Sequence, residues 1–243
     1  MLKAYADGTI FGERFGTGPP TVIGLHGWGR SWTDFRPVFE GLDALSVDLP
    51  GFGASPLPPE VWGAREYAKA LTAVVDAIGT RVTIIGHSRG GVIAAVLATM
   101  RPEQVKCLVL TGAPLLRSHP SRKSPLPFRI ARALHNNGLI SEEQIERQRA
   151  KFGSADYRAA SGQLRQILVK MVNESFEEEL AKIQCPVRLI WGSADSAVPL
   201  QVAEDAKALL VRAEVSLQVL NGIGHDTPAL AAGALRSAID ACQ

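Results

Sequence analysis

Short apolar runs alternate with amphipathic helical patterns along most of this chain. The runs are Thr21 to Leu25, Ala44 to Val47, Val82 to Ile85, Val105 to Leu110, Val187 to Trp191 and Val215 to Leu220. Each is rich in Val, Ile and Leu and is read as unalternating, the pattern of strands covered on both faces. Between them, Tyr67, Leu71, Val74, Val75 and Ile78 recur at helical spacing, with Gly79 as the expected stop. Val202, Ala206, Leu209 and Leu210 repeat that spacing behind Pro199. Val92 to Met100 is apolar all round, which predicts the most buried helix. At the start, Lys3 to Ala6 and Thr9 to Phe11 flank Asp7-Gly8, a pair suited to a tight type I′ hairpin turn. Strand and helix in alternation predict an α/β chain with a doubly wound, mostly parallel sheet.

One stretch departs from the alternation. From about Pro114 to Lys182 only helical signals occur. Pro125 to His135 reads as a helix stopped by Asn136-Asn137-Gly138, and Ser141 to Gln144 as a capping box. Gly153-Ser154 is expected to end the second helix, and Leu164, Ile167, Leu168 and Met171 mark the third. The expected organisation is therefore a core over residues 1–113 and 183–243, with 114–182 inserted as a helical cap or lid. Insertions of this size usually serve function, a stabilising appendage being the alternative.

Composition narrows the function classes. With 46% hydrophobic and 21% charged residues in 243, the chain has ample material for a packed core. Twenty-six basic against 24 acidic residues leave a net charge of only +2, which argues against a nucleic-acid partner. No apolar run approaches the roughly 20 residues that cross a bilayer, and Met1 to Gly12 shows no signal-peptide core. The three cysteines, Cys107, Cys185 and Cys242, are odd in number and form no C-x-x-C pair, which suggests free thiols in a reducing, cytoplasmic setting. The five histidines lack metal-motif spacing, so neither metal nor cofactor is expected.

The sharpest chemical signal is Gly86-His87-Ser88-Arg89-Gly90-Gly91, between the strand ending at Ile85 and the buried helix. Small residues let the chain reverse in almost no space and push the Ser88 hydroxyl above the sheet, among helix N-terminal amides. A glycine-rich turn that merely holds phosphate is the plainer alternative. A serine needs a base, itself oriented by an acid. His225 follows the strand Val215 to Leu220 and fits the base better than His26, His87, His119 or His135; His87 neighbours the serine on the wrong side of the turn. Asp195 follows the strand ending at Trp191 and is the expected acid, with Asp48 the runner-up. An oxyanion hole would use the amide of Arg89 and a second amide from His26-Gly27-Trp28-Gly29, with Trp28 preferred, although its indole could simply wall the pocket.

These segments, together with Asp48-Leu49-Pro50-Gly51-Phe52-Gly53-Ala54-Ser55 and Cys185-Pro186-Val187, occur in an order that resembles the α/β-hydrolase superfamily, especially small serine hydrolases with a helical cap. The resemblance spans nearly the whole chain except the inserted segment. It implies an α/β-hydrolase fold, with Ser88 as nucleophile, His225 as base and Asp195 as acid. It also implies oxyanion donation from Trp28 and Arg89, and a structural turn at Asp48. Serine at the nucleophile position sets the chain apart from the aspartate-based dehalogenases and epoxide hydrolases of that fold.

The expected function is cleavage of a small carboxylic ester by Ser-His-Asp acyl-enzyme catalysis. The alternatives are C–C bond hydrolysis or a lyase on the same triad, or a non-catalytic ligand-binding receptor. Arg117, Arg122, Lys123, Arg129 and Arg132 fall in a stretch without acidic residues. This is either a solvated face or a receiver for an anionic or carrier-linked ester. No membrane partner is expected, and a monomer is the default.

Overall fold

A computed structural model describes residues 2–117, 126–152 and 155–242. His119, Arg122, Lys123, Pro125 and Gly153-Ser154 lie outside them. Eight strands form one sheet: β1 (Lys3–Tyr5), β2 (Ile10–Phe15), β3 (Val22–Leu25), β4 (Ala44–Asp48), β5 (Val82–His87), β6 (Val105–Thr111), β7 (Val187–Gly192) and β8 (Val215–Leu220). Their spatial order is β1-β2-β4-β3-β5-β6-β7-β8. Only β1–β2 and β2–β4 pair antiparallel; the rest is parallel.

The helices are α1 (Arg36–Phe39), α2 (Ala64–Ile78), α3 (Arg89–Met100), α4 (Leu126–Asn136), α5 (Glu142–Phe152), α6 (Ala155–Ala159), α7 (Gly162–Asn173), α8 (Glu177–Leu180), α9 (Leu200–Leu209), α10 (Thr227–Leu230) and α11 (Ala232–Asp240). Helices α2, α3 and α9 cover one sheet face, where Tyr67, Leu71, Val92 and Val202 meet Leu25, Leu45, Ile84 and Leu189. On the other face, Phe35, Phe39, Leu235 and Ile239 cover Val22, Ile85, Val109 and Ile190. All of Gly90 to Ala98 is buried in α3, as its unbroken apolar sequence requires. Gly79 closes α2 in a left-handed conformation, donating its amide to the Val75 carbonyl.

Three expectations are corrected. The link from β1 to β2 is not a two-residue turn: Tyr5 pairs with Ile10, and Ala6 and Asp7 both take positive φ. The strand β8 is not covered on both faces. It closes the sheet at one edge, where Ser216, Gln218 and Val219 are exposed. Finally, Cys107 and Cys242 are paired in a disulfide, because the sheet and α11 bring Cα atoms 135 residues apart in sequence to 5.8 Å. The odd cysteine count therefore supplies no argument for a reducing compartment, and Cys185 alone is a free thiol.

Helices α4 to α8 are inserted between β6 and β7, with no strand among the described residues of that segment. The capping box at its second helix is formed on both sides, Gln144 N to Ser141 Oγ (3.3 Å) and Ser141 N to Gln144 Oε1 (2.8 Å). Helix α7 is fastened to the body of the fold. Gln163 Nε2 donates to the Pro58 and Glu60 carbonyls (2.7 and 2.8 Å), and Lys170 Nζ reaches Glu66 Oε1 (2.9 Å). No described helix is long and apolar enough to cross a membrane.

Candidate active site

At the C-terminal end of β5 the chain reverses into α3 through Ser88, whose backbone is held at φ 51°, ψ −121°. A non-glycine residue there is strained and is kept so by its surroundings. Two glycines permit the reversal. A Cβ on Gly90 would lie 2.0 Å from the Leu25 carbonyl oxygen, and one on Gly86 2.5 Å from the Cα of Gly91. The Ser88 amide donates to the Thr111 carbonyl (2.9 Å), which ties the turn to β6.

Two further loops, following β7 and β8, converge on this serine. His225 Nε2 lies 3.1 Å from Ser88 Oγ, and His225 Nδ1 lies 2.8 Å from Asp195 Oδ2. The other Asp195 oxygen, Oδ1, accepts the amides of Ala197 (2.9 Å) and Val198 (2.8 Å). Its carboxylate is thus oriented by backbone and is almost fully buried. Ser88, Asp195 and His225 therefore come together as one hydrogen-bonded chain.

Trp28 and Arg89 line the same cavity, of about 490 Å³, as Ser88 and His225. As the first helical residue of α3, Arg89 has an amide with no partner in its own helix. The Trp28 ring packs edge-on against Phe52, centroids 4.9 Å apart, at the edge of the cavity that Trp28 helps to line. Asp48 is elsewhere engaged. Its two oxygens accept the amides of Trp32 (2.7 Å) and Ala54 (2.8 Å), which makes it the organiser of the early loops.

Behind His225 lies a polar network that the local sequence pattern does not reveal. His87 Nε2 donates to the His225 carbonyl (2.9 Å), and the two rings lie 5.0 Å apart. His87 Nδ1 faces Asp34 Oδ2 at 3.7 Å, and neither atom has another partner. Arg30 bridges Asp34 and Asp226, with 3.0 Å to the latter. Burial pushes the Asp34 carboxyl up, yet the bonds and charge of His87 and Arg30 prevail and hold it below its ordinary value. The residue set aside as lying on the wrong side of the turn thus supports the loop that carries His225. The signal available was the adjacency of His87 to Ser88; its partners are remote in sequence.

Of the basic stretch, Arg117 lines the cavity, whereas Arg129 and Arg132 are exposed on α4. Among the described residues, no cluster of His, Cys, Asp and Glu could hold a metal ion.

A family model for the alpha/beta hydrolase family matches residues 22–238. The chain is 31% identical over 243 residues to the 2-hydroxy-6-oxononadienedioate/2-hydroxy-6-oxononatrienedioate hydrolase of Cupriavidus pinatubonensis, covering 86% of this chain and 82% of that one. It is 25% identical over 216 residues to the pimeloyl-[acyl-carrier protein] methyl ester esterase of Serratia marcescens, covering 80% and 83%. An esterase from Exiguobacterium antarcticum superposes with a TM-score of 0.73 at 24% identity, covering 98% of both chains. With the sheet order, the inserted helices and this extended match, the chain belongs to the α/β hydrolase family and is a hydrolase.

Proposed function

We propose that this hydrolase cleaves a small carboxylic ester through an acyl-enzyme on Ser88. The observation that carries the reading is the unbroken chain from Ser88 Oγ through His225 to Asp195, at 3.1 and 2.8 Å. In the first half-reaction His225 Nε2 takes the serine proton as Oγ bonds to the ester carbonyl carbon. The oxyanion is met by the amides of Trp28 and Arg89, and the alcohol leaves with the proton from Nε2. Water then repeats the sequence, giving its proton to His225 and releasing the acid from Ser88. Asp195 holds the Nδ1 proton throughout, so that Nε2 is the basic nitrogen. The inserted helices α4 to α8 act as a lid over this site, with α7 as its fixed wall.

A second reading, hydrolysis of a C–C bond in a diketone on the same residues, is favoured by the 31% identity to the nonadienedioate hydrolase. The test has two arms. A fluorophosphonate probe followed by intact mass should add one label, absent from Ser88→Ala. A series of p-nitrophenyl esters of increasing acyl length should then be turned over, with a maximum at short chains. Labelling of Ser88 with negligible ester turnover and rapid loss of a coloured dienol substrate would transfer the assignment to C–C hydrolysis. No labelling at all would refute both.

A further inference from the structure

Arg89 stands next to Ser88 in the chain and shares its cavity, but the reaction proposed above uses only its backbone. Its guanidinium has five donors. Among the described residues it makes one hydrogen bond, from Nη1 to the Met171 carbonyl at 3.3 Å, and no ion pair. Other arginines of the fold are treated differently. Arg30 meets Asp34 and Asp226, Arg65 meets Glu179, and Arg165 meets Glu146.

Two carboxylates lie on the same cavity wall, Glu174 and Asp156. Glu174 is already engaged, accepting the Ala64 amide at 2.9 Å and lying 3.9 Å from Arg65. Asp156 attracts Arg89 without a hydrogen bond or ion pair between them among the described residues, and a second cation, Arg117, also lines the cavity. A half-buried guanidinium with most of its donors unused among the described residues can take an incoming anion with charge-assisted bonds.

We propose that the Arg89 side chain selects substrates bearing a carboxylate on the acyl part, so that the enzyme's preferred esters are half-esters of short dicarboxylic acids. The proposal rests on the ester-hydrolase reading of the same cavity. It follows from placement: serine and arginine leave the backbone at one turn, so an anion on the guanidinium must lie within an arginine's reach of the carbonyl under attack. A planar fork matches a carboxylate with two parallel bonds, which a neutral ester cannot supply. Burial pushes the guanidinium down to about 10, against the pull of Asp156 and Glu174, so it remains cationic at neutral pH.

Equilibrium binding separates this selection from the chemistry. In the Ser88→Ala chain, which cannot form the acyl-enzyme, calorimetry should find monomethyl glutarate bound about 10- to 100-fold more tightly than dimethyl glutarate. Adding Arg89→Gln, which removes both the charge and the fork, should abolish the preference. Adding Arg89→Lys, which keeps the charge but not the fork, should reduce it about three- to tenfold. Circular dichroism establishes that each chain is folded, and the lysine chain decides the matter if the glutamine chain is not. Equal affinity for the two esters, or a preference untouched by the substitution, overturns the proposal. Failure of the wild type to hydrolyse either ester would instead count against the ester-hydrolase reading, leaving the binding result to stand.

Discussion

Asp195→Asn tests the orientation of the proposed catalytic chain more sharply than removal of the carboxylate does. In the native site Oδ1 is claimed by two backbone amides, Ala197 at 2.9 Å and Val198 at 2.8 Å. An asparagine must therefore turn its carbonyl oxygen to that side, because its NH₂ would meet two donors there. The NH₂ then faces His225 Nδ1, formerly 2.8 Å from Oδ2. To accept from it, the imidazole must carry its proton on Nε2, the nitrogen that takes the serine proton in the proposed reaction. The expected loss is on the order of 10⁴ in kcat, equivalent to about 5.5 kcal/mol of barrier at about 1.36 kcal/mol per tenfold. Stability should hardly change, since every hydrogen bond has a replacement. Asp195→Ala leaves the same two amides without an acceptor, at about 1–3 kcal/mol each. The assay is kcat on the best p-nitrophenyl ester, with urea unfolding of both variants. More than a tenth of wild-type kcat in the asparagine chain, or lower stability than in the alanine chain, would refute the reasoning.

Three other outcomes follow from buried groups. Burial holds the His26 imidazole below its ordinary 6.5, against the Gly27 carbonyl and the Asp34 and Asp48 carboxylates, so its stabilising contribution is full above about 6.5 and is lost as pH falls toward the lowered value. Urea unfolding should show a slope of up to about 1.4 kcal/mol per pH unit from this group, missing in His26→Asn; equal slopes would exclude His26 as the source. The pair Asp34 and His87 should show a coupling of about 0.5–3 kcal/mol in a double-mutant cycle of Asp34→Asn and His87→Asn, and strict additivity would mean that their 3.7 Å approach does nothing. Alkylation should modify no cysteine in the native chain at neutral pH, where burial pushes the Cys185 thiol up to about 11. Denaturation alone should then expose one thiol and denaturation with reductant three; three without reductant would contradict the Cys107–Cys242 pairing.

What could be read from sequence and what could not divide along a physical line. The parallel strands, the helix of Val92 to Met100, the reversal at Ser88 and the capping box at Ser141 depend on residues a few positions apart, and periodicity or turn chemistry expresses them locally. The meeting of Ser88, Asp195 and His225 is legible for the same reason, each standing shortly after an apolar run. The β1–β2 link departs from the two-residue turn because Ala6 and Asp7 adopt positive φ without glycine. In β8 the alternation of Val215, Ser216, Leu217 and Gln218 does mark an edge strand, but Val219 and Leu220 obscure it. Partnerships across long separations have no local signature. His87 meets His225 across 138 positions and Cys107 meets Cys242 across 135, and only the assembled sheet makes them neighbours. The direction taken by the Arg89 side chain, toward the Met171 carbonyl of α7, is equally invisible.

The order in which the reactive atoms occur along the polypeptide also bears on its biosynthesis. Ser88 precedes His225 by 137 residues, and the helical insertion is translated between them. A ribosome that has completed β6 has therefore produced the strained turn without the histidine that, in the proposed reaction, activates its hydroxyl. On that mechanism an interrupted product should be chemically silent, with reactivity beginning only when β7 and β8 have joined the sheet. Turnover is thus a report on completion of the C-terminal half, more stringent than solubility or helical content. The same arrangement suits a split reporter: cut between β6 and β7, each piece lacks what the other supplies, and hydrolysis would return only as the two halves find each other.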